Sequence, residues 1–147
     1  MPPATTLVPS APQAILLLGG LMNIFISSLV GYVVLWVRMR DPAKPLSRYS
    51  MVAHTGAIMN GSLLIGFAFA IQFTPFIEPV RSAIAVAEVC ATFFFFLRTV
   101  LNWKDDFHDA IAQGSPLANR LRGLANVIHL FDAAAVLYGV ARVAFGI

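Results

Sequence analysis

The amino-acid sequence predicts an all-α, integral membrane four-helix bundle, and two observations carry that expectation. The first is composition: 59% of the 147 residues are hydrophobic and only 12% are charged, against about 25% charged residues in an ordinary soluble domain. Such a chain has too little charge to cover itself in water, but it can fold where lipid is the solvent. The second is patterning. Apolar residues gather into four stretches, each long enough for a hydrocarbon core that takes roughly 20 helical residues to cross. A chain that crosses lipid this way must satisfy its backbone hydrogen bonds within each span, so the spans are expected to be helices. We read 1–147 as one four-span domain.

The first span is expected at 14–37. It gives way to Arg38-Met39-Arg40-Asp41-Pro42-Ala43-Lys44-Pro45, whose two prolines exclude continued helix. The second, 51–76, exceeds the minimum length, so it tilts or begins in the headgroup layer. Phe73-Thr74-Pro75-Phe76-Ile77-Glu78-Pro79 makes a tight return into the third, 82–103. Lys104-Asp105-Asp106-Phe107-His108-Asp109 follows and reads as a solvated acidic turn. Then Gly114-Ser115-Pro116 places an N-cap serine before a proline at the first helical position, a start signal for the helix that carries the fourth span, 124–145.

Basic residues orient the bundle. Arg38, Arg40, Lys44 and Arg48 lie in the first loop, and Lys104, Arg120 and Arg122 flank the third. The second loop has only Arg81, and the tail before Ala14 has no basic side chain. An excess of Lys and Arg marks the cytoplasmic side, so loops one and three are expected inside and both termini outside, in the bacterial inner membrane. A secretory signal peptide is not expected, because no basic region precedes the first apolar segment. The net charge of +3 is distributed by loop rather than over a basic face, which does not point to nucleic acid. One cysteine, Cys90, cannot form an internal disulfide.

Helical spacing then sorts the polar residues. Glu88, Thr92, Phe95, Thr99 and Asn102 form one stripe on the third span. Gly19, Asn23, Ser27 and Gly31 make a small, polar stripe on the first, and Ala53, Ala57 and Gly61 a small one on the second. Small stripes let helices approach closely in lipid, and packing is their expected role. Glu88 calls for more, since a carboxylate in lipid must be neutral, paired or wetted. Arg98 lies about 15 Å along the same helix, so any partner of Glu88 comes from another span or subunit, and Arg98 can snorkel to the cytoplasmic surface. On the fourth span His129 and Asp132 share a face. A carboxylate beside an imidazole suits either a self-satisfied polar pair or a ligand or proton relay.

His54 is the residue that says most. An ionisable ring inside a membrane-length segment marks a ligand, a cofactor or a proton path by default. His54, Arg98 and His129 are all expected within about two turns of the cytoplasmic boundary. Asn60 lies roughly 9 Å further along the second helix and about 120° around it. One compact ion cannot sit between His54 and Asn60, whereas a broad, flat ligand reaches both, which favours a large planar cofactor.

The run Ala53-His54-Thr55-Gly56, followed by Asn60-Gly61 and an apolar tail, resembles the styrene oxide isomerase family, and the likeness is clearest over 47–97. The resemblance implies a small four-helix membrane protein, assembled as a homotrimer, with haem b at the subunit interfaces. It implies that His54 is the axial haem ligand and that Asn60 helps to hold the oxygen of a small apolar epoxide. Ferric haem would act as a Lewis acid, and a 1,2-hydride shift would yield an aldehyde. Two positions on the third span depart from the family pattern: Glu88 stands where an aspartate is expected, and Phe96 where a substrate-positioning tyrosine is expected. Phe96 cannot donate a hydrogen bond. The phenylalanines 93 to 96 would supply a water-poor pocket. Two other readings remain open on the residues alone. One is a b-type haem electron carrier or sensor using His54 and His129 as paired ligands, and the other is a membrane scaffold without a cofactor.

Overall fold

The computed structural model describes residues 8–43, 45–105 and 115–146. Lys44, Gly114 and the Asp106, His108 and Asp109 portion of the acidic turn lie outside the described residues. Four α-helices run in order: α1, Ala11–Arg40; α2, Arg48–Ala70; α3, Glu78–Lys104; and α4, Pro116–Phe145. Among the described residues there is no strand. Each of the four helices, with α2 counted through Phe73, is long and apolar enough to cross a membrane. Large apolar side chains such as Leu18, Phe25, Phe131 and Leu137 stand on the outside, where lipid rather than water is their favourable solvent.

Local chemistry explains where the helices begin and end. Ser10 precedes α1, and its backbone N–H donates to Gln13 Oε1 at 3.0 Å, satisfying one of the donors that a helix start leaves open. Ser115 Oγ accepts from the Ala118 N–H at 3.1 Å with Pro116 in the first turn, as the Ser-Pro signal expects. Gly146 closes α4 at φ +68°, a left-handed conformation that suits glycine. The second helix is shorter than the expected run to Phe76: α-helix stops at Ala70 and one 3-10 turn, Ile71–Phe73, follows. Pro75 is the cause. It pushes the residue before it into extended backbone, and Thr74 sits at φ −86°, ψ 146°. Thr74 Oγ1 then donates to the Ile71 carbonyl at 2.8 Å.

Packing is close where side chains vanish. A Cβ built on Gly20 would stand 2.9 Å from the Gly61 carbonyl oxygen, and one on Gly61 would stand 2.8 Å from the Gly20 oxygen. The backbones of α1 and α2 therefore touch, and these two helices pack along most of their length. In the same way α3 packs on α4 and touches both α1 and α2, while α2 and α4 meet only sparsely. The interior divides by chemistry. Leu16, Leu64, Phe67, Ile71, Ile84, Ala85 and Val136 form an apolar core toward the short α2–α3 turn. Buried Asn23, Ser27, Ser50, Glu88, Thr92, Thr99 and Asn102 occupy the middle and the end near the basic loops.

Leucine at Gly61 must collide with the α1 backbone, so Gly61→Leu is expected to destabilise the bundle by about 1–3 kcal/mol. Gly123→Ala, where a Cβ meets nothing within 4 Å, should be neutral or slightly stabilising. Thermal unfolding of the detergent-purified variants checks the pair, and equal stability would refute the close approach.

Candidate functional site

His54 is seated at the α1–α2 seam. Its Nδ1 lies 2.9 Å from the Ser27 backbone carbonyl oxygen and 3.0 Å from Ser27 Oγ. A carbonyl only accepts, so Nδ1 carries the proton and donates. The Ser27 hydroxyl donates in turn to the His54 carbonyl at 2.7 Å. In the neutral ring this leaves the lone pair on Nε2. Nε2 has no hydrogen-bonding partner among the described residues. The ring lies against Gly31, where a Cβ would stand 2.9 Å from Cε1 and 3.0 Å from Nδ1. Any larger side chain at Gly31 would push the imidazole out of its seat. The α1 stripe is therefore more than a packing surface, since two of its members hold the histidine.

Asn60 and Phe96 come together elsewhere, in a cavity of about 170 Å³ between α2 and α3. Phe95, Arg98 and Thr99 line its α3 side, and Ala53, Gly56 and Ala57 help to line its α2 side. An apolar cavity of about 150 Å³ accommodates a benzene ring, so this one suits a single small aromatic molecule. Of the four consecutive phenylalanines only Phe95 and Phe96 reach it. Arg98 is half-buried here and makes no ion pair with a carboxylate among the described residues.

Glu88 does not line that cavity. It is fully buried at the α3–α4 seam, where its Oε1 lies 2.7 Å from Nδ1 of His129. The partner from another span that Glu88 requires is thus the histidine on α4. Asp132, three residues on from His129, makes no hydrogen bond to that ring, and its Oδ2 is buried without a partner. The carboxylate beside the imidazole is Glu88, which pairwise spacing along α4 cannot reveal. His129 is opposite Glu88, roughly 20 Å of helical rise from Pro116. Nearby Asn23 Nδ2 donates to Thr92 Oγ1 at 3.3 Å and to the Gly19 carbonyl at 2.9 Å. Glu88 Oε2, Asn23 Oδ1 and both amide atoms of Asn102 are buried without partners.

The candidate residues therefore fall into three places: His54 on the α1 side of α2, Asn60 and Phe96 on its α3 side, and Glu88 with His129 behind α3. Within one chain the two histidines belong to different seams. Among the described residues no group of three or more His, Cys, Asp or Glu converges to hold a bare metal ion. A porphyrin asks less of the protein, because it brings four nitrogens and needs one or two axial donors. His54 fits that demand, with its tautomer fixed by a backbone carbonyl as metal-ligating histidines require. No family model matches the chain, and no curated protein matches it significantly.

Glu88→Ala removes one partner of a buried pair and is expected to cost about 3 kcal/mol, against about 0.6 kcal/mol for an average interhelical hydrogen bond in lipid. Glu88→Gln keeps a hydrogen-bonding side chain of equal length and should retain most of that stability. Unfolding of both variants in mixed micelles distinguishes the two scales.

Proposed function

We propose that this membrane protein binds haem b through His54 and isomerises a small apolar epoxide to an aldehyde, the haem held by His54 of one protomer serving the cavity between α2 and α3 of its neighbour in the assembly. One observation carries the reading: the Ser27 carbonyl holds Nδ1–H of His54 and leaves the Nε2 lone pair without a protein partner. When bound, the haem would supply a Lewis acid that offsets several kcal/mol of charge developing on the epoxide oxygen. The residues of the chain do the rest. The Asn60 amide can donate to that oxygen and orient the ring. Phe95 and Phe96 keep water from a carbocation. Because Phe96 has no hydroxyl, Asn60 acts without the second donor that the resemblance implies. The isomerisation balances within the substrate: one C–O bond breaks, a hydride moves to the neighbouring carbon, and a C=O bond forms with no redox partner. Glu88 is given no step, since it lies outside the cavity.

In this reading the chain assembles as a homotrimer with haem at its subunit interfaces. It sits in the bacterial inner membrane with loops one and three in the cytoplasm and both termini outside. Within one chain His54 and His129 sit at different seams, so a bis-histidine electron carrier would have to draw its two histidines from different protomers.

Visible spectroscopy tests the cofactor. The purified protein is expected to show a five-coordinate Soret band that shifts when an axial ligand is added. His54→Ala should abolish it, and His129→Ala should leave it in place. A colourless protein that refuses added haemin would refute the proposal. Turnover tests the donor argument. Activity on styrene oxide is expected to be low and to rise about tenfold or more in Phe96→Tyr, the scale of one added hydrogen bond in a transition state. Fast turnover by the unmodified protein would show that the tyrosine is dispensable.

A further inference from the structure

The cavity between α2 and α3 holds a charge that the epoxide chemistry leaves unused. Arg98 forms part of its wall, together with Asn60, Thr99, Phe95 and Phe96. A guanidinium stays protonated in proteins, and keeping one inside a membrane-spanning helix is costly unless an anion or water meets it. Lys104 ends α3, so Arg98 lies roughly 9 Å of helical rise inside that end. Among the described residues no carboxylate forms an ion pair with it. Glu88, the buried acid of the same helix, is engaged by His129. Arg122 on α4, a second cation, acts on Arg98 electrostatically, as does Tyr49 on α2. This corner of the bundle therefore carries positive charge with no acid of its own to balance it.

The rest of the wall says what kind of anion fits. The Thr99 hydroxyl donates to the Phe95 carbonyl at 2.8 Å. That leaves Arg98 and Asn60 as the lining side chains whose polar groups have no hydrogen-bonding partner among the described residues. Both can donate. The remaining surface is mostly carbon, from Phe95, Phe96 and the small residues of α2. The volume is about 170 Å³, and a cavity of about 150 Å³ takes benzene, so one aromatic ring with a short polar group fills the space. An inorganic anion would meet the guanidinium and leave the phenylalanines bare. A neutral aromatic would meet the phenylalanines and leave the guanidinium unpaired. A ring that carries a carboxylate satisfies both, since the guanidinium fork matches the two carboxylate oxygens.

We infer that the α2–α3 cavity binds a small aryl carboxylate of the size of phenylacetate, with the carboxylate on Arg98 and the ring beside Phe95 and Phe96. The anion fills the space that an epoxide would enter and so excludes it. Binding needs neither haem nor turnover, which separates this inference from the isomerase reading.

Fluorine NMR tests it. 4-Fluorophenylacetate is titrated into the purified protein in phosphatidylcholine nanodiscs, and the bound fraction is read from broadening of the fluorine line. Saturable binding is expected. It should weaken about tenfold or more in Arg98→Gln, the factor that one hydrogen bond to a charged group accounts for. In the unmodified protein 4-fluorophenylacetamide, with nearly the same shape and no charge, should bind about tenfold more weakly or worse. Acetate, the charge without the ring, should not compete. Gly56 lines the cavity and has open space where a Cβ would go, so Gly56→Leu fills it and should abolish binding. Equal binding of acid and amide, or binding unchanged in Gly56→Leu, overturns the inference even if Arg98→Gln does not fold. Phosphatidylglycerol that is retained by the unmodified protein, lost in Arg98→Gln and not displaced by the probe would assign the guanidinium to a lipid phosphate, and overturns it as well. A Soret band without saturable binding rejects this site and leaves the haem reading standing, and saturable binding to a colourless protein does the reverse.

Discussion

The backbone contact between Gly20 of α1 and Gly61 of α2 is the constraint on which the rest of the molecule depends. With no side chain between them, the two helices come close enough for their main chains to touch. Only at that separation does the carbonyl of Ser27, two turns further along α1, reach the ring of His54. Gly31 completes the seat by leaving room for the imidazole. Small residues in lipid are usually explained by the packing they permit. Here the same packing fixes which nitrogen of a histidine bears the proton.

Lipid as solvent explains the inverted interior. The outer surface carries leucine, phenylalanine and valine, and the polar side chains turn inward because they have nowhere else to be satisfied. Three of them find a partner on another helix: Ser27 with His54, Asn23 with Thr92, Glu88 with His129. These contacts are individually modest by the standard of interhelical hydrogen bonds in membranes. The carboxylate–imidazole pair differs, because separating it would leave buried ionisable groups unpaired inside the bundle. Its position opposite the start of the apolar core divides the bundle into a hydrocarbon half and a polar half.

The two intramembrane histidines follow one design with two outcomes. Each has Nδ1 engaged by an oxygen from a neighbouring helix, which leaves Nε2 to meet whatever lies outside. The oxygen decides the rest. A backbone carbonyl can only accept, so the neutral His54 ring is left with a lone pair on Nε2, the form that binds a metal. A carboxyl group can accept as the carboxylate or donate as the acid, so the Glu88 contact at 2.7 Å does not by itself select the tautomer of His129.

Composition and apolar run length alone determined that this chain is a four-helix membrane bundle, because the lipid interior admits so few solutions for a backbone. Residue spacing also identified the inward faces, since the stripe from Glu88 to Asn102 on α3 is buried at its polar positions. The Ser115-Pro116 start was legible because capping is a local interaction. The end of α2 at Ala70 was half legible: Pro75 announces a break, but how many residues before it unwind depends on where Thr74 packs. Partnerships were not legible at all. That Glu88 needed a partner followed from the energetics of burial, but that the partner is His129, 41 residues away, depends on how α3 and α4 pack. Likewise His54 announced a function by its cost, while Ser27 as its anchor, and the separation of Asn60 and Phe96 from Glu88, were decided by helix rotation and approach. Those quantities arise between helices, where no single stretch of sequence contains them.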